Sequence, residues 1–188
     1  VNMTLEEYRR MTAGTRSREA GAFFEDTISA SLAWHEARGL LKADKTPEPM
    51  KPLHKPNKNG QFLACYTKKA QVDFCGTMHG GRSVRFEAKQ TDTDRFTRNR
   101  LTDEQMDDLR GHEKLGALCF VLLCFGVDRF YRVPWNVWEN MKAVYGRQYV
   151  KEPDIAEYRI PSASGVVKIL HGILDVNEIN KGGNNGTI

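Results

Sequence analysis

From Ser17 to about Arg38 the apolar residues Ala20, Phe24, Ile28 and Leu32 recur at every fourth position, with Phe23, Thr27 and Trp34 flanking the stripe. That period puts them on one side of a long helix, and Gly39 is a natural stop because glycine takes the left-handed conformation that closes a helix. Ahead of it, Thr4-Leu5-Glu6-Glu7 has the form of a capping box and predicts a short helix ending near Thr12 to Gly14. Residues 44–60 hold four prolines and no regular period, which predicts an extended loop or projecting arm. The middle of the chain is strand-like: Gln61 to Thr67, Ala70 to Thr77, a tight reversal at His79-Gly80-Gly81, then Ser83 to Gln90.

A polar connection from Thr91 to Arg100, carrying Arg95, Arg98 and Arg100, leads to a second helix. Thr102 and Gln105 occupy capping-box positions there, Leu101 can staple against Met106, and the helix should run to Leu115 and end at Gly116. Ala117 to Phe125 is almost unbroken apolar sequence, as expected of a strand buried on both faces. Gly126-Val127-Asp128 turns the chain into a strand from Arg129 to Val133, and Pro134 opens a helix to about Tyr145. A connection at Lys151 to Asp154, a loop at Pro161 to Gly165 and a strand at Val166 to Leu170 follow, and Lys181 to Gly186 reads as a disordered tail. This order predicts an α/β fold in which helices flank a mixed central β-sheet. One domain over residues 1–176 is expected, with an insertion at about 47–70 and a tail at 177–188.

Composition changes this picture little. A hydrophobic fraction of 40% with 28% charged residues is that of an ordinary globular chain, and the longest apolar run, Ala117 to Phe125, is strand-sized. With no membrane span and no N-terminal signal visible, a cytoplasmic location is expected. A formal charge of +4 excludes no class of partner, but its distribution is uneven. Between residues 42 and 69 seven lysines stand against only Asp44 and Glu48. Such a segment is either a solvated loop or a surface for a polyanion. Cys65, Cys75, Cys119 and Cys124 lack the short spacing of a zinc site and lie in or beside apolar runs, so buried reduced thiols are expected.

The chemistry concentrates in residues 72–89. On a strand, Glu87 and Lys89 project from one face while Phe86 and Ala88 point to the other, toward the core. If the two strands pair through Gly80-Gly81, Asp73 comes to lie beside Glu87. Two adjacent carboxylates are costly unless a cation neutralises them, and Mg²⁺ prefers oxygen ligands. Lys89 is then placed to orient or deprotonate a water and to bear on phosphate charge, the requirements of phosphodiester hydrolysis. The competing view is a half-exposed hairpin whose Glu-x-Lys is an ordinary ion pair. Glu25, at the edge of the first helix's stripe, could reach such a site or merely meet solvent.

Several pieces in one order carry a resemblance: Gly21-Ala22-Phe23-Phe24-Glu25, Lys45-Thr46-Pro47, a basic insertion, Val72-Asp73-Phe74-Cys75-Gly76, Phe86-Glu87-Ala88-Lys89-Gln90-Thr91, Gln105, and Gly116 to Leu122. Together, over about residues 20–135, they resemble the RecU family of Holliday-junction resolvases within the PD-(D/E)xK nucleases. The resemblance implies a restriction-endonuclease-like core with a projecting stalk. It also implies Mg²⁺, or Mn²⁺ in its place, held by Asp73, Glu87 and the Ala88 carbonyl, with Lys89 serving the water. Glu25 corresponds to the acid on the family's first helix, touching the metal through water. Gln105 resembles a glutamine that follows the acid-x-lysine strand, although its capping position explains it equally well. The family's members are homodimers acting on four-way DNA junctions, with a stalk that here would span Lys51 to Lys69. Lys45, Thr46, Lys51, Lys55, Lys58, Lys68 and Lys69 are the corresponding DNA contacts, and Phe62 or Tyr66 could stack on an opened base unless both are core residues of a strand. The chain departs from the family in reading Lys45-Thr46-Pro47-Glu48-Pro49 where proline-threonine-proline is usual, and in having Phe74 in place of tyrosine.

Two other functions fit the same residues. One is a PD-(D/E)xK nuclease for flaps or plain duplex. The other is a non-catalytic DNA-binding recombination mediator on the same fold, against which the retained Asp73, Glu87 and Lys89 argue.

Overall fold

The computed structural model describes residues 13–47, 49–66 and 71–174. Its first helix, α1, runs over Ala13–Glu36, starting before and stopping two residues short of the span the hydrophobic stripe predicts. Gly39 closes it at φ 65°. The leader helix expected from Thr4 and the tail expected at 177–188 lie outside the described residues, as do Lys68 and Lys69.

Six strands form the central sheet: β1 (Leu41–Lys45), β4 (Phe74–Met78), β5 (Ser83–Thr91), β7 (Leu118–Phe125), β8 (Arg129–Pro134) and β10 (Arg159–Ile160). They are hydrogen-bonded in that order, antiparallel except for the β5–β7 pair. The parallel pair needs a crossover, and α2 (Asp103–Lys114) supplies it. The predicted reversal is present: Gly80 and Gly81 both have φ near +85°, and Met78 and Arg82 close the turn. Strand β1 was unforeseen, since its two lysines and the prolines after it read as loop. Its burial alternates, with Leu41 and Ala43 buried, and it pairs with β4 along its length.

Both faces of the sheet are covered. On one, α1 packs Phe24, Ile28 and Leu32 over a ladder of stacked rings, Phe74, Phe86 and Phe120, whose successive centroids are 4.8 Å apart. On the other, α2 and the short helices α3 (Trp135–Glu139) and α4 (Met141–Tyr145) enclose Leu109, Val121, Leu123, Trp135 and Trp138. The expectation that only Phe86 and Ala88 face core is therefore corrected: Glu87 points into the second layer and is 0% exposed. The helix predicted from Pro134 to Tyr145 is broken at Asn140, whose side-chain amide donates to the Asn136 carbonyl and competes with the helical bond there.

The proline-rich segment is an arm rather than a structureless loop. Strand β2 (Met50–Pro52) pairs with β3 (Ala64–Tyr66), and Leu53 and Asn57 continue the ladder to Leu63 and Gln61. Asn57 accepts from the backbone of Asn59 and Gln61 to form the tip. The two remaining strand pairs among the described residues are minor: β6 (Phe96–Thr97) with β9 (Tyr149–Val150), and β11 (Ser162–Ala163) with β12 (Val166–Val167), the latter where a loop and a longer strand were expected. All four cysteines are free, but only Cys119 and Cys124 are buried, their thiols pushed up to about 12 by burial; Cys65 is exposed on the arm. Among the described residues, no helix is long and apolar enough to cross a membrane.

Candidate active site

The register between β4 and β5 sets the site. Phe74 lies opposite Phe86, so the next position outward brings Asp73 opposite Glu87, as the paired-strand reading requires. The Asp73 N–H donates to Glu87 Oε2 at 3.0 Å, and Asp73 Oδ2 accepts from the Ala88 N–H at 3.1 Å. Lys89 Nζ bonds Glu87 Oε1 and stands 3.8 Å from Asp73 Oδ2. Two carboxylates and one ammonium thus converge, with Asp73 turned outward and Glu87 sealed inside.

Burial, and then the charge of Asp73, raise the Glu87 carboxyl from its ordinary range to about 7, and Lys89 offsets only part of this. A buried carboxylate held beside another is a poor arrangement for a bare protein and a good one for a hard divalent cation. Among the described residues no group of three or more His, Cys, Asp or Glu side chains is placed to hold a metal. The donor set that fits is smaller: Asp73, Glu87 and the main chain at Ala88, in an all-oxygen environment of the type Mg²⁺ takes.

Gln105 resolves its two readings by serving both. Its Oε1 accepts from the Thr102 N–H at 2.9 Å, completing the capping box of α2, while its Nε2 donates to Glu87 Oε1 at 2.5 Å. One side chain therefore starts the helix and fixes the buried acid.

A cavity of about 190 Å³ opens in front of Asp73, lined by Gly21, Phe24, Glu25, Lys45, Ala88, Lys89 and Arg100 among others. Glu25 does not touch either carboxylate. It faces the cavity from α1 and pairs with Lys45 Nζ at 2.6 Å. Thr46 extends β1 by donating its N–H to the Asp73 carbonyl at 2.8 Å, which ties the acid to the edge of the sheet. Lys51, Lys55 and Lys58 stand exposed on the arm, away from this cluster. Phe62 and Tyr66 are 47% and 67% exposed, so neither is a core residue.

Two residues of the cavity were not singled out from the sequence. Arg100 ends a short 3-10 turn at Arg98–Arg100, donates through one Nη to the Gln90 carbonyl at 3.1 Å and lines the cavity. The run of three arginines after the acid-x-lysine strand was the available signal. Gly21 sits in the middle of a helix, where glycine is unfavourable, and a Cβ there would meet nothing within 4 Å. Its missing side chain leaves space in the cavity wall.

The family profile for Recombination protein U matches residues 19–173. Holliday junction resolvase RecU from Bacillus pumilus (strain SAFR-032) is 23% identical over 159 residues, which cover 79% of this chain and 76% of that protein. Holliday junction resolvase RecU from Pediococcus pentosaceus is 24% identical over 109 residues, 56% of this chain and 54% of its own length. A solved structure of the Holliday junction resolvase Hjc from Archaeoglobus fulgidus covers 71% of this chain and 90% of its own at 13% identity, with a TM-score of 0.45, a likeness that adds nothing to the fold already described. With the family profile spanning the first helix, the arm, the paired acids and the whole sheet, this chain belongs to the RecU family.

Proposed function

We propose that the chain is a Mg²⁺-dependent endonuclease that resolves four-way DNA junctions by paired symmetric nicks, as a homodimer, in the cytoplasm where such DNA lies. The observation that carries the reading is the contact of Asp73 and Lys89, which line a cavity with Lys45 and Arg100, with Glu87 bonded to both from behind. Family membership and the two resolvase relatives supply the substrate class. We assign residues 1–176 to one nuclease domain with the arm as an insertion.

Asp73, Glu87 and the Ala88 carbonyl would hold the cation, with Mn²⁺ able to take the place of Mg²⁺. When bound, it supplies Lewis acidity at the phosphate and lowers the pKa of a water. The protein's own share is distinct. Gln105 and the Asp73 N–H hold the Glu87 carboxylate in one orientation. Lys89 is within reach of both acids and orients the attacking water while countering charge that builds on the phosphate. Arg100 offers a fork of N–H groups to a phosphate at the cavity mouth, and Lys45 a second cation, positioned by Glu25. Gly21 admits the DNA backbone close to α1. On the arm, Lys51, Lys55 and Lys58 contact phosphates, as do Lys68 and Lys69 later in the sequence, and the exposed rings of Phe62 and Tyr66 stack on bases opened at the crossover.

Asp73→Asn, Glu87→Gln and Lys89→Ala are each expected to abolish cleavage of a four-way junction while leaving junction binding intact. Retained cleavage in all three would sink the assignment. Equal cutting of junction and linear duplex would point to a nuclease for another structure, and no cutting with either Mg²⁺ or Mn²⁺ to a non-catalytic binding module.

A further inference from the structure

A second cavity, of about 250 Å³, lies toward the C-terminal end of α1. Trp34 and His35 line it, whereas Gly21, Phe24 and Glu25 line the first; at 1.5 Å per residue the nine residues from Glu25 to Trp34 span about 14 Å along the helix. The cavity is therefore separate from the cleft that faces the acids. Its apolar wall is Trp34, Leu40, Leu170 and Leu174, its polar rim is Lys168 and His171, and among the described residues no acidic residue lines it.

Its charge is unusual for a surface cavity. Lys168 Nζ stands 3.3 Å from the centroid of the Trp34 ring and the Arg38 guanidinium carbon 3.9 Å from the same centroid. Two cations share one indole, and among the described residues neither has a carboxylate within ion-pair distance. Lys168 is held below the usual lysine range by burial and by Arg38. Lys168 is anchored, because the N–H of the preceding Val167 donates to Ser31 Oγ at 2.8 Å inside α1. Arg38 is anchored by its own bond to the Trp34 carbonyl at 3.1 Å. The neighbouring His35 lies inside the wall with Nδ1 on the Ser31 carbonyl at 2.6 Å, and burial holds it toward the neutral form, so it contributes shape and no charge. The fold thus holds two like charges together beside an apolar hollow the size of one or two side chains.

We propose that this cavity is a docking site for an acidic peptide segment of a partner protein, one apolar residue entering between Trp34 and Leu174 while flanking carboxylates pair with Lys168 and Arg38. Duplex DNA fits less well. A phosphate chain would use the two cations but leave the partly exposed Trp34 and Leu174 uncovered, whereas a peptide uses both. The proposal does not depend on the nuclease reading, since it concerns the other end of α1 and none of the residues of the cleft.

The test is fluorescence anisotropy on the full chain with a labelled decapeptide of aspartates ending in phenylalanine. Controls are an all-aspartate peptide and one with asparagine for aspartate. The acidic, phenylalanine-bearing probe should bind best, and Lys168→Glu should weaken it by roughly tenfold or more, with Arg38→Ala giving a smaller loss and Lys168→Arg restoring most of the affinity. Trp34 is the partly exposed tryptophan, Trp135 and Trp138 being fully buried, so its emission should shift on binding. No binding by the wild-type chain, equal binding of the all-aspartate probe, an unchanged affinity in both Lys168→Glu and Arg38→Ala, or full displacement by plain duplex DNA would each overturn the proposal. A thermal melt of the Lys168→Glu variant matching that of the wild-type chain shows that it is folded.

Discussion

Glu87 decides more than any other side chain, because it is wholly enclosed and yet carries a group that must ionise. In the unfolded chain it loses its proton near 4.5, and in the folded chain near 7. Between those values the folded state holds the extra proton, so raising the pH favours unfolding, and the penalty is complete above about 7. The shift corresponds to a penalty on the order of 3 kcal/mol. Urea unfolding in chelator should therefore show the protein less stable at about pH 8 than at about pH 5, the difference shrinking on addition of Mg²⁺ and lost or reversed in Glu87→Gln, where the buried neutral His35 contributes a slope of opposite sign. A flat profile in the wild-type chain would show that Lys89 compensates the acid in full. Gln105 can be tested the same way, because its two bonds separate. Gln105→Ala loses both the cap and the contact, and about 1–2 kcal/mol of stability should go with them. Gln105→Glu keeps a side chain suited to the capping box but sets a third carboxylate against Glu87. Thermal melts should find that variant close to wild type at about pH 5 and well below it at about pH 8.

At the scale of elements, the β1–β4 edge connects fold to site. Gly76 lies opposite Ala43, and a Cβ there would come within 2.1 Å of the Lys42 carbonyl and 2.5 Å of Ala43 Cα. Backbone cannot yield as a flexible side chain does, so Gly76→Ala should push β1 away and cost roughly 3 kcal/mol or more. Since β1 delivers Lys45 and leads into Thr46, cleavage should fall further than stability alone explains; a variant with a wild-type melting profile and full cleavage would refute the close packing. The sequence conveyed α1, α2 and β7 well, because each has one unmistakable period, and the Gly80-Gly81 reversal fixed the register that brings Asp73 to Glu87. It hid β1, where two buried positions, Leu41 and Ala43, separated by one lysine make too short a pattern to tell from loop. It also hid the break at Asn140, which depends on a side chain bonding its own helix. Gly21 was invisible as a site residue because it matters through what lies across the cavity, which its helical position does not announce, and the run of arginines that signals Arg100 does not say which of the three lines the cavity.

For the whole molecule, the arm is the part that stability does not explain. Its two strands pair with each other and with no strand of the central sheet. Five of the large apolar side chains left exposed, Met50, Leu53, Phe62, Leu63 and Tyr66, are on it, at 47–67% exposure. Such residues add nothing to the folded core and invite aggregation, so their presence calls for a surface that covers them. Interleaved with Lys51, Lys55 and Lys58, they suit a ligand that is anionic along its backbone and flat and apolar where its stacking is interrupted, which is a branch point in DNA and not a continuous duplex. Replacing Met50 to Tyr66 with a short Gly-Ser linker should then leave stability within about 1 kcal/mol, as expected for removing a segment outside the core. Asp73, Glu87, Lys89, Gln105 and Arg100 would remain in place. The two effects on DNA should diverge: cleavage and binding of a four-way junction fall at least tenfold, while any weak cutting of linear duplex is unchanged. Comparing Phe62→Ala with Lys51→Ala divides the loss further, since removal of a ring should weaken junction binding at all salt concentrations, whereas removal of a lysine should reduce its salt dependence. If the armless protein resolved junctions as well as the intact one, the arm would have to serve another purpose, and the junction preference would have to reside in the cavity around Arg100 and Gly21.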